Sequence, residues 1–561
     1  MNKQNLTLGI IQTVTALLIA AAWAASIYFL STLSNFELRT KLATLTVWTM
    51  HAATLSLVIG GVMLIRRAYQ NQHPLLKRKN LLGISLVLFG LFLFVSSVVP
   101  RTNRIYFDEQ IFEGIALSIA HTGKAYMINH GEAEFGALRS FAQEYNKQPA
   151  GFPYLAALGF RLFGADEAIS HRLNNLCYVC SVLCLGLLAW VLTRSLIVSA
   201  YAAGFAAITP MFAIWSNTAA TEPAATFFWI LTALAGVDFA RRQGIAEALF
   251  FSGALGLSLF MRPESALILG VLGIILIPQT RTLLRIKSTY LLINLAWLFG
   301  MVALAHLFAV RDEPWGSPAD RFSLEIFRQN FPINSAFYFN NQSYPLVLSI
   351  LAIFGLFARQ SIRARCLGLV WFLSTWIIFL FFYAGSYEYG ADVRFSILTT
   401  PALALLAAFG AAQIGKINST LHYFIIGVCM LSFVSFLPLM RAIGHEAAEA
   451  RSDVDTMREF AKSLPPRSFI LSHVPAMWLV WGKNAAQLNM VQSDPDYVRD
   501  TLPERFPGGV YVHWGHWCNV PDYNQNKPCE AAEQIFEMQI YRRYQVDNHD
   551  FKILKIVKAK N

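Results

Sequence analysis

Charge is what this 561-residue chain has little of: Asp, Glu, Lys and Arg supply 14% of it, against 55% hydrophobic residues. Soluble domains carry about a quarter of their residues as charges, so a string of such domains is excluded. A disordered chain, which needs low hydrophobicity, is excluded with it. Cysteine is sparse as well, at seven residues. Cys177, Cys180 and Cys184 fall at i, i+3 and i+7 within one apolar stretch, which reads as buried thiols on a packed face rather than a metal set. No period of 20–50 residues recurs, so nothing supports a repeat architecture.

What the chain does have is long apolar runs. A membrane-crossing helix needs about 20 apolar residues, and such windows recur near 8–31, 42–65, 80–100, 169–193, 197–215, 219–239, 288–309, 367–384, 396–413 and 421–438. Shorter ones lie near 248–261, 264–279 and 345–358. The fold class is therefore an α-helical polytopic membrane protein with about thirteen transmembrane helices. Arg66, Arg67, Lys77, Arg78 and Lys79 share one loop, and Arg194, Arg241, Arg242, Arg281, Arg285, Lys287, Arg359, Arg363, Arg365 and Lys416 occupy later loops of the same parity. Basic loops stay in the cytoplasm. The N-terminus is then inside, and the C-terminus lies in the periplasm or outside the cell. The net charge of +11 is an orientation signal and not a nucleic-acid footprint. No small-residue cleavage site follows the first run, so residues 1–31 read as an uncleaved helix in a cytoplasmic (inner) membrane.

From 441 to 561 the composition turns charged, which predicts a small extracytoplasmic α/β domain. Helical spacing covers Ser452–Leu464, strands are expected over Ser468–Leu471, Met477–Trp481, Gly509–Val512 and Phe551–Val557, and a further helix over Glu530–Tyr541. An oxidising compartment predicts a Cys518–Cys529 disulfide. His513 and His516, in HWGHW, are expected to pack or face solvent.

Ionisable residues at the outer span ends are the most informative feature. Asp108 and Glu109 stand in RIYFDEQ, Glu144 and Lys147 in EYNKQP, Arg172 at the start of the next span, and Glu222 in ATEPAA. Arg262 and Glu264 form RPE, and Glu388, Asp392 and Arg394 lie in YEYGADVRF. Singly, each reads as a solvated cap or interfacial anchor. Carboxylates and guanidiniums from these separate segments on one face together predict a shared polar cavity, because unpaired charge at a membrane boundary is costly.

A span followed at once by Asp-Glu, a loop ending in KQPAGFPYLAALGFRLFGADEAISHRL, and a later R-F-x-x-x-x-x-P-A-L-A-L-L segment resemble the C-type (GT-C) glycosyltransferases. The closer likeness, over roughly residues 80–415, is to the branch of the protein O-mannosyltransferases and the lipid A aminoarabinose transferase. The resemblance implies a polyprenyl-phosphate-linked sugar donor, a hexosyl or pentosyl group, and Asp108 as catalytic base with Glu109 in reserve. The chemistry agrees: an attacking hydroxyl must lose a proton, and a departing phosphate gains charge that guanidiniums stabilise. Arg172 is the first candidate for the phosphate, with Lys147, Arg262 and Arg394 behind it. Glu144, Glu222, Glu264 and Asp392 are expected in the same cavity.

These readings divide the chain into an extra N-terminal hairpin (1–79) expected to pack laterally, a catalytic membrane domain (80–440) with outer loops 101–165 and 310–344, and the tail (441–561). Aromatics of the first loop, Tyr106, Phe107, Phe112, Phe135, Phe141, Phe152 and Tyr154, are expected as anchors or packing, one or two of them stacking on a sugar. Those of the second, Trp315 among them, suit a segment lying over the cavity. No metal is expected to be obligatory, although Asp108 and Glu222 are oxygen donors suited to Mg²⁺ or Mn²⁺. The acceptor is open among a protein, a lipid and a glycan, all within a lipid bilayer setting and without nucleic acid. The competing reading is a transporter or flippase of a lipid-linked saccharide. It is disfavoured because transporters set their sites near the midplane, often between internal repeats.

Overall fold

The computed structural model describes residues 3–71, 78–103, 106–134, 137–313, 321–388, 390–446, 448–519, 526–546 and 549–560. Among them, nine helices are long and apolar enough to cross a membrane, from Asn35–Gln70 to Thr420–Gly444, and four shorter apolar helices accompany them, including Leu196–Ala207, Ile245–Leu259 and Leu346–Leu356. The chain is an integral, multi-pass membrane protein. Connections between successive helices alternate between two ends of the bundle. Arg67, in the last turn of Asn35–Gln70, pairs with the buried Glu247, and Arg242 pairs with Asp238 at 2.9 Å.

The span Asp392–Gly415 is buried along its whole apolar window. It lies against Leu346–Leu356 so closely that a Cβ on Gly355 would meet the Leu406 carbonyl, and one on Gly410 the Leu351 carbonyl. Helices without a hydrophobic drive between them pack in this way, through small residues that let backbones touch. The Cys177, Cys180 and Cys184 thiols are free, with Cys177 and Cys184 buried.

One end of the bundle is capped by a seven-stranded sheet of order β2-β1-β4-β3-β5-β7-β6. Strands β3 (Phe469–Ser472), β4 (Asn484–Gln487) and β5 (Val510–Trp514) are parallel, and the hairpin β6 (Phe536–Val546) and β7 (His549–Ala559) extends them antiparallel. The other edge is covered by β1 (Tyr126–Glu134) and β2 (Ala137–Tyr145), which belong to the first outer loop; His130 and Gly131 pair with Ala486 and Ala485. Asn484 fixes the junction by accepting from the Ala133 N–H at 3.0 Å. The loop is thus a helix (Tyr106–Thr122), this hairpin and a second helix (Gly151–Phe163).

Two expectations for the tail are corrected. Met477–Trp481 is not a strand: Pro475–Val480 is a helix, with proline in the first turn where its missing N–H costs nothing, and all six residues are buried, so no one-sided pattern marked it. The helix expected over Glu530–Tyr541 ends at Ile535 and continues as β6, in which Phe536, Met538 and Ile540 alternate with Glu537, Gln539 and Tyr541. Cys518 and Cys529 are joined by a disulfide. His513 is buried between Ser472, 2.9 Å from its Nδ1, and Asp453, 3.3 Å from its Nε2.

Charged contacts fasten the tail to the membrane part. Glu167, 1% exposed, accepts from Arg101 at 2.5 Å and from Arg451 at 2.7 Å, and Arg451 also donates to Asn103 at 2.9 Å. Arg458 pairs with Asp166. Removing one partner from so buried a cluster leaves charge uncompensated, which makes it a strong orienting device.

Candidate active site

At the capped end a cavity of about 1270 Å³ opens between the membrane helices, the hairpin and the tail. Asp108, in the first turn of Tyr106–Thr122, lines it together with Glu144, Lys147, Arg262, Glu264 and Arg394. Residues from four of the six stretches singled out in the sequence therefore line one cavity. Glu222 stands just behind it.

Glu222 opens the helix Glu222–Arg242, where the unpaired N–H groups of a first turn favour a carboxylate. It is 1% exposed, and its Oε1 accepts from both Arg262 Nη1 and, at 2.8 Å, Arg394 Nε. Arg262 donates further to Thr221 at 2.9 Å and to Glu264 Oε1 at 3.0 and 2.8 Å, while Arg394 reaches Asp392 at 3.3 Å. Both guanidiniums face the Phe395 ring, at 5.2 and 4.6 Å from its centroid. Planar groups held this way keep their remaining N–H bonds at fixed angles, which suits oxyanion recognition.

Lys147 is brought in by a different device. His306 donates from Nε2 to the Lys147 carbonyl at 3.2 Å and accepts the Tyr145 hydroxyl at Nδ1, 2.7 Å away, a pattern one neutral tautomer satisfies. The following turn is clipped to the Arg262 segment, since the Gly151 N–H donates to the Phe260 carbonyl at 2.8 Å and a Cβ at Gly151 would strike that same carbonyl. The sequence Gln148-Pro149-Ala150-Gly151 thus places Lys147 and Arg262 on one cavity through a glycine contact.

Burial pushes the Asp108 carboxyl above the usual carboxylate range; Arg394 opposes the rise, Glu222 adds to it, and Lys147 and Arg262 oppose it. Glu109, one helix position on, points elsewhere. It is buried and does not line the cavity, lying instead near Glu113, whose carboxyl is raised by burial and then by Glu167 and Glu109. Successive helix residues are separated by about 100°, so only one of the Asp-Glu pair faces the cavity.

The expectation for Arg172 is corrected for the same reason. The face of Glu167–Thr193 that buries His171, Asn174, Asn175 and Tyr178 turns Arg172 outward, where it is exposed, 3.4 Å from the Ser96 carbonyl and 3.3 Å from Asn175 Oδ1. It does not line the cavity. Glu144 does, and accepts from Asn129 at 2.7 Å.

Several lining residues escaped the sequence reading. Phe36, Arg39 and Thr40 come from Asn35–Gln70, so the N-terminal hairpin is part of the cavity wall and not only lateral packing. Arg39 pairs with Glu313 at 2.5 Å, and Arg311, Arg321 and Tyr383 lie nearby. A second, apolar groove of about 550 Å³ runs along Leu324, Ile377 and Phe381 and shares Leu267, Phe322 and Ile378 with the cavity. Of the predicted aromatics, Phe112 is buried and lines the cavity, Phe152 and Tyr154 are buried packing, Phe141 is exposed under Arg505, and Phe135 and Trp315, with the side chains of Tyr106 and Phe107, lie outside the described residues. Among the described residues, His473 with Cys518 and Cys529 is close enough to hold an ion, but the two sulfurs are bonded to each other.

Residues 147–306 match the family model described as dolichyl-phosphate-mannose-protein mannosyltransferase. No curated protein matches the chain in sequence. Among solved structures, ArnT from Cupriavidus metallidurans bound to undecaprenyl phosphate is similar, with a TM-score of 0.55 at 11% identity over 85% of this chain and 98% of that one. Its apo state gives 0.51 at 12% identity with the same coverage. The apo oligosaccharyltransferase of Archaeoglobus fulgidus gives 0.47 at 12%, over 83% of this chain and 73% of that one. At such identities the likeness is one of fold.

Proposed function

We propose that this chain, a membrane glycosyltransferase of the GT-C superfamily by its fold and family match, moves a glycosyl group from a polyprenyl-phosphate donor to an acceptor hydroxyl at the extracytoplasmic face. The observation that carries the reading is the Asp108 carboxylate sharing a cavity with Lys147, Arg262 and Arg394, beside an apolar groove that shares Leu267, Phe322 and Ile378 with it. The donor phosphate lies against the three cations and its isoprenoid tail enters the groove along Phe322 and Ile378. ArnT, the similar structure, was solved with undecaprenyl phosphate.

In the step proposed, Asp108 takes the proton of the acceptor hydroxyl as its oxygen bonds to the anomeric carbon. The bond from that carbon to the phosphate oxygen breaks, and the pair leaves on polyprenyl phosphate. The raised Asp108 carboxyl makes a stronger base than an ordinary aspartate while it stays ionised. Lys147, Arg262 and Arg394 stabilise the charge that accumulates on the leaving oxygen. One displacement by one base inverts the anomeric centre. With three cations lining the cavity the reading invokes no obligatory metal, and transfer should survive chelation of divalent ions. The outer face follows from the basic loops at the opposite end of the bundle.

The test is transfer from defined undecaprenyl-phosphate sugars in membranes carrying wild type or Asp108→Asn. Loss of transfer with lipid-phosphate binding retained supports the assignment. Undiminished transfer by the variant removes Asp108 as base.

A further inference from the structure

Three ligand-type side chains of the tail converge away from the cavity. His473 directly follows β3, Cys518 lies in the short helix His516–Asn519, and Cys529 stands in the first turn of Lys527–Ile535. One nitrogen of His473 and both sulfurs lie within 4.8 Å of one another. No other such trio of His, Cys, Asp or Glu ligand atoms forms among the described residues, and the remaining cysteines, Cys177, Cys180, Cys184, Cys366 and Cys429, are free thiols in the candidate spans. Ligand atoms around a tetrahedral zinc stand about 3.5–3.8 Å apart, so the imidazole is within about 1 Å of a ligand's place.

Each ligand is held by its own element and not by the disulfide alone. The Val474 N–H donates to Ser472 Oγ at 3.1 Å, and the same oxygen meets His513 Nδ1 at 2.9 Å, which fixes the turn carrying His473. The Cys518 N–H donates to the Gly515 carbonyl at 3.1 Å, and Asn519 Nδ2 ties that helix to the Asp550 carbonyl on β7 at 3.2 Å. The Cys529 N–H donates to the Asn526 carbonyl at 2.9 Å, and its side chain is buried. Opening the sulfur bond therefore leaves two thiols and an imidazole gathered at one place.

Two thiolates with an imidazole are a soft set that suits Zn²⁺ and not Mg²⁺ or Ca²⁺. Cys518 and His473 are only half-buried, so water reaches the fourth position. We propose that the reduced tail binds Zn²⁺ through His473, Cys518 and Cys529, so that the same elements are joined by a disulfide when oxidised and by a metal when reduced. A dithiol reductant opens the bond by taking the disulfide onto itself and leaving two thiols; Zn²⁺ then displaces a proton from each sulfur and takes the imidazole lone pair. The reverse uses a small disulfide as oxidant: its sulfurs take two electrons and two protons and leave as thiols, the Cys518–Cys529 bond reforms, and Zn²⁺ departs. None of the three residues lines the cavity, so the inference stands apart from the transferase reading.

The experiment uses the full chain in lipid nanodiscs, reduced with a dithiol, freed of it without oxygen, and titrated with Zn²⁺ against a chromophoric chelator. Reduced wild type should hold a single ion more per chain than Cys518→Ser/Cys529→Ser, in which the other thiols remain, and glutathione disulfide should release it. Co²⁺ as a second probe should give the intense sulfur-to-metal absorption of thiolate ligation. Loss of an outer-shell partner alone costs metal affinity about 10–100-fold, so His473→Ala, which removes a ligand, should cost at least about tenfold. That variant should still form the disulfide when oxidised and elute as a single species, which separates a lost ligand from a lost fold. Equal zinc uptake by reduced wild type and the double serine variant overturns the proposal, as does zinc kept after the disulfide has reformed. Wild-type affinity in His473→Ala removes His473 and with it the three-residue site.

Discussion

Replacing Glu222 with Gln keeps the shape of a side chain wedged between two guanidiniums and removes its charge. In the native protein one oxygen serves both Arg262 and Arg394, and Glu222 and Arg262 are 1% and 7% exposed. Removing one partner of a buried pair costs about 3–5 kcal/mol. Glu264 and Asp392 stay on the two arginines and the new amide oxygen still accepts, so the lower end applies, about 3 kcal/mol, or roughly a hundredfold in the folding equilibrium. A bound phosphate supplies a negative charge where the glutamate supplied one. The variant should therefore melt lower than wild type when empty and recover more of the difference on adding undecaprenyl phosphate. Thermal unfolding of the purified protein across a titration of the lipid reads both effects. A variant that melts with wild type and gains the same from the lipid would refute the role of Glu222 as the anchor of both cations.

Asp108→Asn should lower transfer by about 10²–10⁴-fold, the usual worth of a general base. In wild type, transfer should fall as pH drops through a carboxyl value lying above the ordinary aspartate range. The same shift works against stability: the fold is most stable below the unfolded-state value and loses that increment as pH rises through the folded-state value, so Asp108→Asn should melt higher than wild type at neutral pH and equally in acid. Arg172→Ala, on an outward face, should leave the donor KM within about twofold, as surface changes do; a large rise would return Arg172 to the site. Gly151→Ala drives a methyl into the Phe260 carbonyl and should cost about 1–3 kcal/mol while raising the donor KM, because Lys147 and Arg262 separate.

Membrane character, the end of the bundle that gathers charge and most of the cavity's ionic residues were legible because apolar run length and loop charge are local properties. The direction of a side chain at a helix end was not. Asp108 and Glu109 are neighbours in sequence and point to different surroundings, and only the packing of Tyr106–Thr122 decides that Asp108 meets the cavity; that of Glu167–Thr193 turns Arg172 away from it. The hairpin of the first outer loop was hidden for another reason. Its alternation is interrupted by register shifts near His130, and its partner strand β4 is four residues long, so neither carries a clear period-two signal. The contribution of Arg39 was likewise invisible, since nothing in a helix beginning Asn-Phe-Glu-Leu-Arg states that it borders a site completed by Lys147 and Arg394.

The pairing of β1 with β4 also fixes an order of events at the ribosome. Ala133 meets Asn484, a residue made 351 positions later, so the loop bearing Gln143, Glu144 and Lys147 waits through the insertion of most of the spans before its sheet can close. During translation the nascent chain therefore holds an unfinished pocket. A message cut short before Asn484 would yield a product whose first hairpin never gains its partner strand and keeps a bare edge open to pairing with other chains.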